Sequence, residues 1–168
     1  MLFLAQEGGH SYLYRRTIGG GQRSKVIPTP IVRFEPTSPD GKWVVAEAPV
    51  SGEDVTRGVV AYRVEDGATK RVCHSLCIVR WTTDGNLLYV GLPGEGQNQG
   101  NFKTFILPLR NGEDFPKLPA AGLESENDWA HRSGVQVADG LARPGPDGFA
   151  YAFDRQESHR NIYRIPIR

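Results

Sequence analysis

The sequence predicts an all-β protein, and three observations carry that prediction. Glycine and proline are frequent, with 20 and 12 of the 168 residues, which is typical of many short strands separated by turns. A polar turn that ends in Asp-Gly occurs three times and is followed each time by an aromatic or β-branched run. Between these turns, pairs of strand-like runs flank short glycine-containing segments, which is the pattern of β-hairpins.

The three Asp-Gly turns are spaced as the turns of a repeat protein would be. They contain Asp40-Gly41, Asp84-Gly85 and Asp147-Gly148. The first two are 44 residues apart, which is one blade period of a β-propeller. The third follows 63 residues after the second, which is one period plus about 20 residues. Aspartate can bond its own backbone and glycine accepts positive φ, so we interpret all six residues as structural turn residues.

The spacing of these turns and the strand-like runs between them predict a single partial β-propeller over residues 1–168. It would have 14 strands, or about 3.5 four-stranded antiparallel blades. The predicted blades are residues 1–27, 31–76, 77–118 and 135–168. The fourth strand of the third blade is expected near Phe115. Residues 119–134 are expected to form an inserted loop that can contain one helical turn.

The second strand of each repeat is apolar at successive positions, over 43–46, 87–90 and 149–153. Continuous apolarity indicates that both faces of the sheet are covered, as in a blade between two others. Trp43 and Trp81 are therefore expected to be structural. Pro108 and Pro166 would each remove a ladder donor, so we expect them at strand ends or bulges.

Residues 38–43, Ser-Pro-Asp-Gly-Lys-Trp, resemble the repeat signature of the WD40-like/TolB-like (PD40) β-propeller family. The later copies keep Asp-Gly but lose Ser-Pro. Residues 155–166, together with Cys73, Cys77 and the Arg80-Trp81 pair, resemble the C-terminal propellers of bacterial serine/threonine protein kinases. The resemblance implies the sensor or protein-interaction region of a receptor-like kinase.

No catalytic machinery is predicted. The sequence has no glycine-rich kinase loop with a strand lysine, no Asp-Phe-Gly and no Gly-x-Ser-x-Gly. The four histidines are scattered through the chain. We therefore expect a non-catalytic recognition scaffold without a cofactor or a metal site. An accessory propeller of a serine peptidase and a TolB-like periplasmic scaffold remain alternatives.

The two cysteines, Cys73 and Cys77, lie at the connection between the second and third predicted blades. A local disulfide and a pair of buried thiols are both compatible with this spacing. Zinc would need two further ligands, which the neighbouring sequence does not supply. A disulfide would favour an extracytoplasmic, periplasmic location.

Two sets of residues are candidates for ligand binding. The loop after the second strand of the third blade is rich in glycine and in hydrogen-bonding groups, and is therefore expected to be flexible and able to contact a ligand. Its candidate residues are Glu95, Gln97, Asn98, Gln99 and Asn101. The alternative interpretation is that this segment is an ordinary surface loop without a binding role. Five arginines could bind an anion at the mouth of the propeller or could simply be solvated: Arg15, Arg16, Arg63, Arg71 and Arg80.

The bulk composition restricts the class of partner. The formal net charge is only +1, so no nucleic-acid surface is indicated. No apolar run approaches the roughly 20 residues that cross a bilayer, and residues 1–6 do not form a secretory signal. We therefore expect a protein or small-molecule partner, with the remaining blades in a longer parent chain or in a second copy of this chain.

Overall fold

A computed structural model describes residues 1–35, 37–51, 53–94, 102–109, 113–129, 133–146 and 150–153. Within these ranges the chain forms 13 strands and one short 3₁₀ turn, Glu126–Asp128. The all-β prediction is confirmed. The expected helical turn also lies inside the predicted insertion.

The strands form four antiparallel sheets, in which each strand pairs with its neighbour in sequence. The first sheet contains β1 (Leu2–Glu7), β2 (His10–Arg15) and β3 (Ser24–Lys25). The second contains β4 (Arg33–Phe34), β5 (Trp43–Ser51), β6 (Glu53–Arg63) and β7 (Thr69–Cys73). The third contains β8 (Ile78–Trp81), β9 (Leu87–Pro93), β10 (Phe102–Pro108) and β11 (Gln136–Asp139), and the fourth contains β12 (Ala142–Pro144) and β13 (Tyr151–Phe153).

Consecutive sheets pack face to face, which explains why residues 43–46 at the start of β5 are apolar at successive positions. Val44 and Ala46 join a core cluster with Leu13 of the first sheet. Trp43 and Val45 point the other way, into a cluster shared with the third sheet. Successive side chains of a strand alternate between faces, so residues 43–46 are apolar because both faces are covered there. The next residue, Glu47, is also buried, and its carboxylate is paired with Arg33 and Arg57. The architecture is a β-propeller segment of stacked antiparallel sheets, of which the second and third have four described strands.

The fourth strand of the third sheet differs from the prediction. It is β11, whose Ala138 lies opposite Thr104 of β10. Phe115, expected to mark that strand, is instead buried against Trp43, with 4.8 Å between the ring centroids. The inserted residues therefore lie inside the third blade, between β10 and β11. The fourth sheet begins at β12.

Residues 113–129, called here the insertion segment, were expected to end a strand and enter a polar loop. They carry three fully buried side chains, Phe115, Leu123 and Trp129, which all join the core between the second and third sheets. The apolar residues of this segment do not alternate as in a strand, and prolines and a glycine interrupt them. Their burial is consequently visible only in three dimensions.

The long hairpin of the second sheet and the position of Pro108 are two further local features. β5 and β6 form the hairpin, in which Pro49 lies opposite Arg57. Pro108 is the last residue of β10, as predicted, where a missing ladder donor costs least. Pro166 lies outside the described residues.

The last apolar run behaves differently from the first two. Tyr151 and Phe153 of β13 are 43% and 54% exposed, so the prediction that this strand is covered on both faces is wrong for the described residues. Within the described part of the chain, no further sheet follows to cover β13.

Candidate binding cleft

The two described Asp-Gly turns are built by the same side-chain hydrogen bonds. The Ser38 hydroxyl donates to Asp40 at 2.6 Å, and the Thr82 hydroxyl donates to Asp84 at 2.6 Å. In each turn the aspartate also accepts the backbone N–H two residues later, at 3.1 Å in the first and 3.0 Å in the second. The hydroxyl oxygen accepts the N–H of Trp43 in the first turn and of Leu87 in the second.

This hydroxyl is a repeat feature that the Ser-Pro comparison missed. A hydroxyl residue precedes each of these aspartates by two positions, although the proline is not shared. In the third copy the same position is Gly145, whose N–H still closes the turn on the Ala150 carbonyl at 2.7 Å. Asp147 and Gly148 lie outside the described residues.

Gly41 and Gly85 supply the left-handed residue of each turn, with φ of 72° and 74°. Non-glycine residues rarely adopt this conformation. Gly85 also lies against the Pro39 ring, since a Cβ placed on it would be 3.7 Å from that ring. The two repeat turns are therefore in contact with each other.

These hydrogen bonds favour the ionised form of both aspartates and lower the pKa of each. The Thr82 hydroxyl and then the Asn86 N–H lower the pKa of Asp84. Burial acts to raise the pKa of Asp40, but the bonds from Ser38 and Lys42 outweigh it, and the pKa is lowered. Both carboxylates are occupied by turn contacts, so they are poorly placed to act as general acids.

A cleft of about 370 Å³ lies where the two turns meet the start of the insertion segment. The side chain of Trp81 forms part of its wall, and Leu109 lines it as well. Its charged lining residues are four carboxylates and one amine: Asp40, Asp84, Glu113, Asp114 and Lys42. The cleft therefore presents an excess of negative charge beside an indole ring.

Asp114 is held at the cleft by Arg63, whose Nη1 lies 3.4 Å from its carboxylate. The same guanidinium makes two 2.8 Å hydrogen bonds to Asp66 and lies over the Trp43 ring, 5.6 Å from its centroid. Arg63 thus ties β6 to the insertion segment. Glu113 is paired with the exposed Lys117, at 3.6 Å. Neither cleft acid belongs to a motif that the sequence reveals.

The Arg63–Asp66 contact predicts how the stability of the fold depends on pH. The hydrogen bonds from Arg63 lower the pKa of Asp66 to about 2. A carboxyl whose pKa is lower in the folded state stabilises the fold above its ordinary pKa, and that contribution is lost as the pH falls. We expect the unfolding midpoint in urea to decrease between about pH 4 and pH 2.

The variant Asp66→Asn should show a shallower decrease over the same pH interval, because it has no proton to take up. Parallel urea titrations at several pH values check this. Equal slopes for the wild type and the variant would contradict the assignment.

The arginines proposed as an anion site do not come together in the structure. The five arginines lie on different strands and loops of three sheets, and none of them lines the cleft. Arg15 hydrogen-bonds Ser24 at 3.0 Å, and Arg16 hydrogen-bonds the Gly21 carbonyl at 3.1 Å. The predicted binding loop, with Glu95, Gln97, Asn98, Gln99 and Asn101, lies outside the described residues and stays a prediction.

Cys73 and Cys77 form a disulfide across the connection from β7 to β8, with 6.2 Å between their Cα atoms. Both side chains are buried in the core between the second and third sheets. Among the described residues, no three His, Cys, Asp or Glu side chains come together as a metal site would require. No helix in the described ranges is long and apolar enough to span a bilayer.

No protein-family model matches the chain, and no curated protein matches it. Among solved structures, the chain is similar to the crystal structure of TolB from Acinetobacter baumannii, with 21% sequence identity and a TM-score of 0.49. The match covers 64% of this chain and 26% of the TolB chain. The matched part is thus about a quarter of the length of that protein.

Proposed function

We propose that this chain is a non-catalytic recognition scaffold, in which the cleft between the two repeat turns receives a positively charged group of a partner. The observation that carries the proposal is the composition of the cleft, where four carboxylates and one lysine surround the half-buried Trp81. An indole ring and an excess of carboxylates both attract a cation. A lysine or arginine side chain of a protein partner has the matching chemistry.

Two features support recognition over catalysis. The turn aspartates are occupied by hydrogen bonds from Ser38 and Thr82, so they serve the fold. The cleft is also framed by rigid backbone, because both turns close directly onto the starts of β5 and β9. A preformed rigid cleft reduces the entropy lost on binding.

The test is a calorimetric titration with a lysine- and arginine-rich peptide, and with an acidic peptide of the same length. We expect the basic peptide to bind and its affinity to fall with added salt. The variant Glu113→Gln should weaken binding by about threefold to tenfold, as expected for one charge at a surface site. Glu65→Gln is the matched control, since Glu65 is exposed and does not line the cleft. Equal binding of both peptides, or of both variants, would contradict the proposal.

We propose further that the scaffold is the sensor or interaction region of a receptor-like serine/threonine kinase. What supports this is the resemblance of residues 155–166 and of the Cys73 and Cys77 region to such propellers. The adjoining coding sequence tests it. A kinase domain upstream supports it, whereas a hydrolase domain downstream, or a signal peptide with neither domain, would replace it with the peptidase accessory or the TolB-like scaffold.

An extracytoplasmic location is part of the same proposal, and the Cys73–Cys77 disulfide supports it. We expect protein from an oxidising compartment, unfolded without reductant, to show no free thiol towards a maleimide reagent. Mass spectrometry after labelling makes the measurement, and the same sample treated with a dithiol serves as the positive control with two labels. Two labels without reductant would contradict the bridged state.

A further inference from the structure

The insertion segment forms an isolated backbone bridge to β7, the outer strand of the second sheet, at Leu123. Leu123 lies beside Cys73 as an isolated parallel bridge. Its N–H donates to the Val72 carbonyl at 2.9 Å, and its carbonyl accepts the His74 N–H at 3.0 Å. The two backbone groups that receive Leu123 therefore belong to the residues on either side of Cys73.

The approach of the segment to β7 is close. Gly122 has φ of +80°, and a Cβ on it would lie 2.7 Å from the Cγ of Arg71 and 3.1 Å from the backbone carbonyl carbon of Cys73. A side chain at this position would push the segment away from the strand. Docking therefore depends on the exact course of the backbone at Cys73 and His74.

The disulfide restricts that course. Cys73 ends β7 and Cys77 directly precedes β8, so the bridge closes a short ring that contains His74. Without the bridge, residues 74–76 would be an ordinary surface connection with many accessible conformations. With it, the His74 N–H is held in the direction of the Leu123 carbonyl.

Docking of the segment also buries apolar side chains away from the Leu123–Cys73 backbone contact. Leu123 is fully buried, and Trp129, at the end of the segment, stacks on Phe105 of β10 with 5.4 Å between ring centroids. Both cysteines belong to the same core cluster as these residues. Loss of docking would therefore expose an apolar surface at the junction of the second and third blades.

We propose that the redox state of Cys73 and Cys77 controls the docking of the insertion segment. Oxidation proceeds by thiol–disulfide exchange: the two thiols form the bridge, and two electrons and two protons pass to a disulfide donor, which becomes a dithiol. A dithiol reductant reverses the exchange. In the oxidised protein His74 and Val72 hold Leu123, and in the reduced protein the segment leaves β7 and Trp129 leaves Phe105.

Hydrogen exchange followed by mass spectrometry tests the proposal on the full chain, before and after treatment with dithiothreitol. We expect the amides of His74 and Leu123 to exchange about tenfold faster or more in the reduced protein, while the amides of the β9–β10 ladder keep their protection. The tryptophan emission should shift to longer wavelength, because Trp129 becomes exposed. Maleimide labelling of the unfolded samples verifies both redox states.

Two variants keep the result interpretable. Gly122→Ala should raise the exchange of both amides in the oxidised protein, because it hinders docking while both cysteine side chains and their disulfide are kept. The double variant Cys73→Ser/Cys77→Ser should match the reduced wild type. Unchanged exchange at His74 and Leu123 in fully reduced protein would overturn the proposal. Loss of protection in every sheet on reduction would also overturn it, since the disulfide would then support the whole fold.

Discussion

Trp43→Ala is expected to lower the free energy of unfolding by about 3–5 kcal/mol, as for other truncations of large buried aromatic side chains. Trp43 is 1% exposed and lies between the second and third sheets, where its ring contacts Phe115. The Lys70 amine also lies over the indole, 5.2 Å from its centroid. Removal of the ring would leave a cavity at the point where two blades and the insertion segment meet.

The measurement is urea denaturation followed by circular dichroism. Ile18→Ala is the matched control: Ile18 is 88% exposed, so its truncation should change stability by no more than about 0.5 kcal/mol. Trp43→Phe should cost less than Trp43→Ala, because it keeps an aromatic ring and removes a buried indole N–H that has no acceptor among the described residues. A denaturation midpoint for Trp43→Ala equal to that of the wild type would refute the structural role of this residue.

Trp129→Ala is the second substitution with a large expected effect, again about 3–5 kcal/mol. Trp129 is 2% exposed and is stacked on Phe105 with an interplanar angle of 17°. This contact anchors the end of the insertion segment on the third sheet. The loss should therefore combine the cavity left by the ring with weaker docking of the segment.

Phe153→Ala is the appropriate comparison for Trp129→Ala. Phe153 is also aromatic, but it is 54% exposed on the fourth sheet, so its replacement should cost less than about 1 kcal/mol. Denaturation curves of the two variants, measured side by side, make the test. If both substitutions cost the same, the insertion segment is not part of the core.

Several features could be predicted from the sequence because they depend on local chemistry. The Asp40-Gly41 and Asp84-Gly85 turns need only a carboxylate that bonds nearby N–H groups and a residue that accepts positive φ. The continuous apolarity of residues 43–46 indicated two covered faces, and the core clusters on the two sides of β5 confirm this. The position of Pro108 followed from its missing N–H alone.

Other features depend on which distant segments meet, and no local pattern contains that information. The fourth strand of the third blade was predicted near Phe115, and residues 136–139 were assigned to the fourth blade. The partner of β10 is instead β11, which contains residues 136–139. Phe115 instead fills the space beside Trp43, which exists only when two blades are stacked. In the same way, the cleft brings together Asp40, Asp84 and Glu113 from three separate parts of the chain.

Turn type and strand character are thus short-range properties of this protein, decided by hydrogen bonds and side-chain alternation over a few residues. The place of the insertion segment is a long-range property. It is decided by the burial of Leu123 and Trp129 between sheets and by two backbone hydrogen bonds at the edge of β7. The sequence of this segment has no regular strand pattern. Its docking is decided only once the surfaces that receive Leu123 and Trp129 have been assembled.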